Sequence, residues 1–504
     1  MGSLIRRITN LGMAGYGVNL WEIAPPRNVQ GEASNVIGMV AELPWGPADE
    51  IVTVYTPAEF FEQFYPPEFG STKDYTTYPA ILALLNKAIF TKGGLKVVRV
   101  GATSQATADY TFQSAAPADS VDVTANHPGA LGNSIQVAWT VNADDATARD
   151  ATVTIGTEYS ETYEAVATIV GGALVVTDPG DPFVTFAKHT GATAVPAAVS
   201  ATALAGGSDG TAVAADYVGA VGSLKGIRLF YGDSVDVDVL FVAECPSALL
   251  DSVNDGLEAY VGEDKGLAIL CTVDGQAYAD AITYVADYED ERLVYVWPRA
   301  ETTNFFDAAA AEIEVDGNAF AAALIANVDP WLSPGGAGKR VGTTDLLSGI
   351  TGLEDETTSR SALDALNDAG IAPWFISSAL GPIMRLGTTT DGGRIWDRRI
   401  KDYLLDAIAA FAENYVETQL DLDLDNQILG PNTSGFIAAI QQFLAQEKAA
   451  THVKAYTVDA FSENTEAGID AGRWIVLIRV ETYAMAEQIV FKAQIGTTVT
   501  ISEA

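Results

Sequence analysis

VDVDVLFVAEC (residues 235–245), GLAILCTV (266–273) and RLVYVWP (292–298) are three apolar runs of strand length. Helix-compatible stretches lie between them, at roughly 247–262 and 275–289. Strands that are apolar along their whole length, alternating with helices, specify a largely parallel sheet covered by helices on its faces. NAFAAALIANVDP (318–330) supplies another helix, and WLSPGGAGK (331–339) reads as a loop. Upstream, IVTVY (51–55), PAEFFEQF (57–64), YPAILALLNKAIF (78–90) and GGLKVVRV (93–100) spell strand, helix, helix, strand. Pro57 suits a first helical turn, and the double glycine ends the second helix.

On either side the pattern changes. Between Gly101 and Gly222 the only basic residues are Arg149 and Lys188. Short alternating segments such as SVDVTA (120–125), NSIQVAWTV (133–141) and ATVTIG (151–156) are separated by turn residues, the mark of an all-β region. After about residue 381 the chain is α+β. Ile400, Leu404, Ala407, Ile408, Phe411 and Tyr415 recur at helical spacing, and GFIAAIQQFLAQEKA (435–449) is a second helix. THVKAYTVDAF (451–461) and RWIVLIRVETYA (473–484) read as strands.

The 504 residues carry 28 Lys+Arg against 66 Asp+Glu, a net charge of −38, yet 48% are hydrophobic. Such a chain has enough apolar surface for several cores, and it is repelled by phosphate backbones and anionic membranes. No direct nucleic-acid contact and no membrane insertion are expected. Cys245 and Cys271 both sit in apolar runs and read as buried free thiols of a reducing cytoplasm.

A search for chemistry yields little. GGSDG (206–210) fits the nucleophile-elbow pattern around Ser208, but no strand-to-helix context surrounds it, and only His127, His189 and His452 exist as bases. PGGAGKR (334–340) misses two defining positions of a phosphate loop, and DLDLDN (421–426) lacks the glycine and the final glutamate of a calcium loop. No catalytic residue, cofactor or metal ligand is assigned, and the chain reads as a non-enzyme.

EQIVFKAQIGTTVTIS (487–502) alternates with period two almost to the end. Ile489, Phe491, Ile495, Val499 and Ile501 share one face. Unpaired, a strand of this length is an aggregation hazard. Either it closes its own domain, or its distal part pairs with a neighbouring copy by strand addition.

Several motifs, in order, resemble contractile tail sheath proteins of bacteriophages and related contractile injection systems. They are NKAIFTKGGLKVVRV (86–100), PGALGNSIQVAW (128–139), LAGGSDG (204–210), DPWLSPGGAGKRVGTTD (329–345), ALNDAGIAPWF (365–375), RRIKDYLLDAI (398–408) and AEQIVFKAQI (486–495). The N-terminus departs from the family in being Gly-rich rather than an extended apolar start.

The resemblance implies an α+β multidomain fold. An N-terminal arm (1–22) precedes an α/β sheath core in two parts (23–101 and 223–380), interrupted by an inserted β-rich outer domain (102–222). A C-terminal α+β inner domain (381–504) follows, its terminal strand arm from about 487 exchanged between neighbours. It also implies a structural role in a virion tail assembled in the host cytoplasm: six-fold rings stacked helically around a tail tube protein, with baseplate and tail terminator proteins at the ends. Contraction would drive the tube through a cell envelope. Arg394, Arg398, Arg399 and Lys401, clustered at one helix start in so acidic a chain, are the expected tube contacts; the alternative is local pairing such as Arg398 with Asp402. Two other readings stand beside this one: an α/β hydrolase or nucleotide-binding enzyme with a β-rich accessory domain, and a surface adhesin.

Overall fold

The computed structural model describes residues 36–72, 89–91, 93–232, 235, 237–263, 266–303, 312–336, 350–355, 359–377, 381–417 and 431–485. The arms at both ends, YPAILALLNKAIF up to residue 88, and DLDLDN lie outside the described residues.

The chain begins with strands β1 (Ile37–Ala41) and β2 (Ile51–Val54), helix α1 (Pro57–Phe64) and strand β3 (Leu95–Arg99). Eight strands follow: β4 (Asp109–Gln113), β5 (Asp119–Ala125), β6 (Ile135–Val141), β7 (Arg149–Ile155), β8 (Tyr159–Val170), β9 (Ala173–Val176), β10 (Val184–Lys188) and β11 (Val199–Ala203). Then come α2 (Ala214–Val218), β12 (Val239–Val242), α3 (Leu250–Val261), β13 (Leu267–Ile269), α4 (Tyr278–Val285) and β14 (Leu293–Trp297). Next are β15 (Ala300–Thr303), β16 (Glu312–Val315), α5 (Asn318–Asn327), β17 (Ile350–Leu353), α6 (Arg360–Asp368), β18 (Ile371–Ser377) and β19 (Gly381–Met384). The series closes with α7 (Ile395–Ala412), α8 (Pro431–Ala449), β20 (Ala455–Asp459), α9 (Glu466–Asp470) and β21 (Leu477–Glu481).

The three apolar runs become adjacent strands, β12, β13 and β14, of an eight-stranded sheet ordered β19-β18-β14-β13-β12-β1-β3-β2. Every pairing from β18 to β3 is parallel, and β19 and β2 join antiparallel at the two edges. Alternate residues divide between two cores, as the pleat requires. Val239, Phe241, Ile269, Val294 and Val296 face one side, where α1 and α5 cover them. Leu240, Val242, Ala268, Leu293 and Tyr295 face the other, against α3, α4 and α6. All of α5 from Asn318 to Ala326 is buried, so its lack of an apolar stripe reflects burial all round. Helix α1 begins as its sequence dictates: Thr56 Oγ1 accepts from Glu59 N–H at 3.2 Å, and Glu59 Oε2 accepts from Tyr55 N–H at 2.7 Å.

Strands β4 to β11 form a three-stranded sheet (β10-β5-β4) and a five-stranded sheet (β11-β6-β7-β8-β9), all antiparallel. Between them lies a core of their own, centred on Val123, Val137, Trp139, Val153 and Phe186. The chain passes into and out of this region along a shared seam: Ala106 bridges Ser208 and Asp109 bridges Ala205, each antiparallel. At the base of the seam Lys225 Nζ donates to Gly101 O (2.7 Å) and Asp216 Oδ1 (3.0 Å), with Asp49 Oδ2 at 3.3 Å. Burial disfavours the Asp216 charge, but Lys225, Val213 N–H and the Thr103 hydroxyl hold its carboxyl below the usual range. Trp45 and Phe69, outside these strands in sequence, complete the same core.

The described residues 36–404 form one compact unit and Leu405–Ala484 a second. Helix α7 starts in the first and ends in the second. In the second unit β20 and β21 make an antiparallel ribbon, α8 lies against β20, and Phe436 packs with Phe411, Tyr415 and Trp474.

Candidate functional site

The four basic residues at the start of α7 are brought together, but mostly toward their own chain. Arg398, 8% exposed, donates through Nε to both oxygens of Asp402 (3.1 and 3.2 Å) and through Nη1 to Glu291 Oε1 at 2.6 Å. Asp402 also accepts from Arg292 Nη1 at 2.9 Å. The i,i+4 pair legible in the sequence is therefore present, extended by two residues from the segment before β14. Arg399, 5% exposed, donates Nη1 to Val328 O at 2.6 Å, placing a cation on the carboxyl end of α5. Burial pulls its pKa down to about 10, so it remains charged at neutral pH. Arg394 Nη1 donates to Gly392 O and Gly393 O, both at 3.1 Å. Lys401 lies 2.9 Å from Asp397 and 3.7 Å from Glu291, and its side chain remains 47% exposed. Ile489, Phe491, Ile495, Val499 and Ile501 lie outside the described residues.

The motifs weighed for chemistry do not converge. Ser208 is exposed, paired with Ala106 across an antiparallel bridge, and its hydroxyl accepts from Gly210 N–H at 3.1 Å. No strand-to-helix elbow surrounds it. Each histidine is engaged elsewhere: His127 stacks edge-on against Trp45, His189 bonds Asp122, and His452 bonds Glu447. Burial, helped by the Arg99 charge, pulls His127 down to about 4.

Sequence reasoning missed a charged cluster at the carboxyl ends of β12, β13 and β14, where open α/β sheets place their ligands. Arg299, just past β14, donates Nη2 to Glu244 Oε2 at 3.0 Å and Nε to Glu314 Oε1 at 2.8 Å, with Asp274 at 3.9 Å. Glu244 accepts from Asp316 N–H at 2.7 Å, and the wholly buried Asp316 accepts from Thr272 N–H at 3.0 Å and Asn318 N–H at 3.1 Å. Glu354 is held by Gly275 N–H and donates its own N–H to Arg299 O at 3.2 Å. Carboxylate oxygens of Asp274, Glu314 and Glu354 lie within 4.8 Å of one another. The chain's own guanidinium lies among these groups. The available signal was a charged residue directly after each apolar run, VAE and WPR.

Burial pushes the Glu244 carboxyl up to about 7, against the attraction of Arg299. Its folded pKa lies above the unfolded value, so the folded state holds a proton that the unfolded chain releases. Stability from this group is complete below about pH 4.5 and is lost as pH rises to 7, a change of ~3 kcal/mol. Glu244→Gln keeps the acceptor for Asp316 N–H and is expected to flatten that part of a pH–stability curve measured by chemical denaturation. An unchanged slope between pH 5 and 7 would contradict the assignment.

No protein-family description matches the sequence, and no curated protein does. Solved structures share its fold. The sheath tail protein from Desulfitobacterium hafniense superposes with a TM-score of 0.59 over 93% of this chain and 100% of that chain, at 14% identity. The sheath tail protein from Listeria innocua gives 0.58 over 90% and 96%, at 15% identity. The helical sheath of the anti-feeding prophage in its contracted state gives 0.54 over 96% and 99%, at 13% identity.

Proposed function

We propose that this chain is the structural subunit of a contractile tail sheath. Copies stack as six-fold rings around an inner tail tube, bounded by baseplate and terminator proteins, and contraction drives the tube through a target envelope. The role is mechanical, with no catalysis, cofactor or metal, in a particle tail assembled in the host cytoplasm. The observation that carries this reading is the end-to-end likeness to sheath subunits, including one from an assembled helical sheath. Sheath subunits need two packings of one polypeptide separated by a barrier.

The strand 487–502 is the link between copies, with Ile489, Phe491, Ile495, Val499 and Ile501 on its buried face. A receiving edge is at hand: among the described residues β20 and β21 pair only with each other. A two-stranded ribbon is marginal alone and gains from a third strand. Five or six added backbone hydrogen bonds at about 1 kcal/mol each suffice to join subunits. Purified full-length protein is expected to form tubes or stacked rings in negative-stain images. The chain cut after residue 486 is expected to stay folded and dispersed. Dispersed full-length protein under all salt conditions, or tubes from the truncated chain, would sink this reading.

For the tube contact, the geometry separates the four basic residues. Arg398 and Arg399 hold α7 to its own chain, and Lys401 and Arg394 carry the charge offered to carboxylates on the tube. Lys401→Glu is expected to leave the protein folded, with at most a small loss of melting temperature from Asp397 and Glu291, while weakening assembly on the tube at low salt, an effect that fades as salt rises. Normal assembly of Lys401→Glu at low salt contradicts this contact. Residues 102–222, with their acidic surface, are assigned to the outside of the sheath.

A further inference from the structure

The two cysteines lie at the carboxyl ends of neighbouring strands, and nothing in the assembly reading uses them. Strands β12 and β13 are parallel neighbours, with Val239 opposite Leu267 and Phe241 opposite Ile269. Continued two residues, that register sets Ala243 level with Cys271. Cys271 is fully buried, and its thiol leans across to the adjacent strand, 3.7 Å from Val242 O. Past Val242 the chain does not run on straight: Glu244 takes a left-handed conformation (φ +47°). Cys245 then packs, partly buried, against the same core that contains Cys271, Tyr217 and Leu270. Its thiol donates to Pro246 O at 3.6 Å, and it is the neighbour that most raises the Cys271 pKa.

We propose that Cys245 and Cys271 are an oxidisable pair that closes to an intrachain disulfide, joining the carboxyl ends of β12 and β13. Cys245, the thiol with solvent access, reacts first. Its thiolate attacks a small disulfide such as oxidised glutathione, one glutathione thiolate leaves, and a mixed disulfide forms on Cys245. The Cys271 thiolate then attacks the Cys245 sulfur and expels the second glutathione thiolate. Two protein thiols give up two protons and two electrons, and the oxidant ends as two reduced thiols. The neighbouring Cys245 thiol, and then burial, hold the Cys271 thiol well above the ordinary range. The second step therefore limits the rate and accelerates about tenfold per pH unit below that value. Closure ties the segment between the cysteines, α3 included, to the middle of the sheet.

The test uses the full-length native protein and oxidised glutathione at several pH values, read by thiol titration in denaturant and by intact mass. The expected result is loss of both thiols, a monomer lighter by two hydrogens, and a rate that rises with pH. In Cys245→Ser no crosslink forms and Cys271 remains a titratable thiol after unfolding. A stable glutathione adduct on Cys245 with Cys271 still free overturns the proposal, as does a crosslink between chains. No reaction at high pH overturns it too. Cys245→Ala repeats the control should the serine disturb the fold.

Discussion

Arg299→Met is expected to destabilise the folded chain by ~3–5 kcal/mol at neutral pH, because it removes one partner of a buried ion pair and leaves the others uncompensated. Arg299 is the cation among Glu244, Glu314, Asp316 and Asp274. Its guanidinium lies 3.0 Å from Glu244 and 2.8 Å from Glu314, with side chains only 13% and 8% exposed for Arg299 and Glu244. Methionine fills similar volume without donors, so the loss is electrostatic rather than a cavity. The carboxyls have one escape, which is to take up protons. The cost is therefore expected to shrink as pH falls toward 5, and Arg299→Lys to recover only part of it, since an ammonium cannot serve two carboxylates in the same fork. Urea denaturation of the variants at pH 5 and 7.5 checks both statements; a cost below ~1 kcal/mol at both would show that the cluster is solvated rather than buried.

Arg99→Met is expected to cost a comparable ~3–5 kcal/mol through unsatisfied carbonyls instead of unsatisfied charges. Arg99 is 2% exposed on β3 and donates to Leu43 O and Gly46 O at 2.7 Å and to Pro128 O at 2.8 Å. One side chain thus fastens the loop after β1 to the turn before β6. Its removal leaves three backbone acceptors without their donor. The same substitution takes a positive charge away from His127, whose pKa is expected to rise from about 4. With three histidines in the chain, His127 can be followed by ring-proton NMR. A melting temperature equal to that of the parent, with His127 unmoved, would show that these bonds are replaced by water.

Strands whose core contacts come from their own apolar runs were legible in the sequence: β12, β13, β14 and the helices between them follow from composition and spacing. Strand β1 was not read, although it pairs with both β12 and β3 near the middle of the sheet. Gly38 interrupts its run, and a Cβ there would meet Leu240, Val237 and Phe230 within about 3 Å, so the glycine serves close packing with partners some 200 residues away. No local pattern reports such a partner. Strands β15, β16 and β17 are short and polar and look like loop. The charged residues behave alike. Arg398 with Asp402 is visible at i,i+4, whereas Glu291, which also binds Arg398, is 107 residues distant. Arg299 and Glu244 resemble solvated residues at strand ends, and only the three-dimensional meeting of five chain segments reveals that they are enclosed.

The seam formed by Ala106 with Ser208 and Asp109 with Ala205 brings the two passages of the chain side by side where β4, the first of the intervening strands, begins. Lys225 closes the base of that seam on Gly101 and Asp216. Sequence changes beyond such a closed stem do not alter the spacing of its feet, so the parallel sheet is insulated from them. Whole replacements of the distal portion are compatible with an intact platform, provided the new part again covers Trp45 and Phe69 and offers Arg99 an acceptor in place of Pro128 O. Evolution, or an engineer, thus has a mounting point whose cargo can vary in size and chemistry while the plate beneath keeps its geometry.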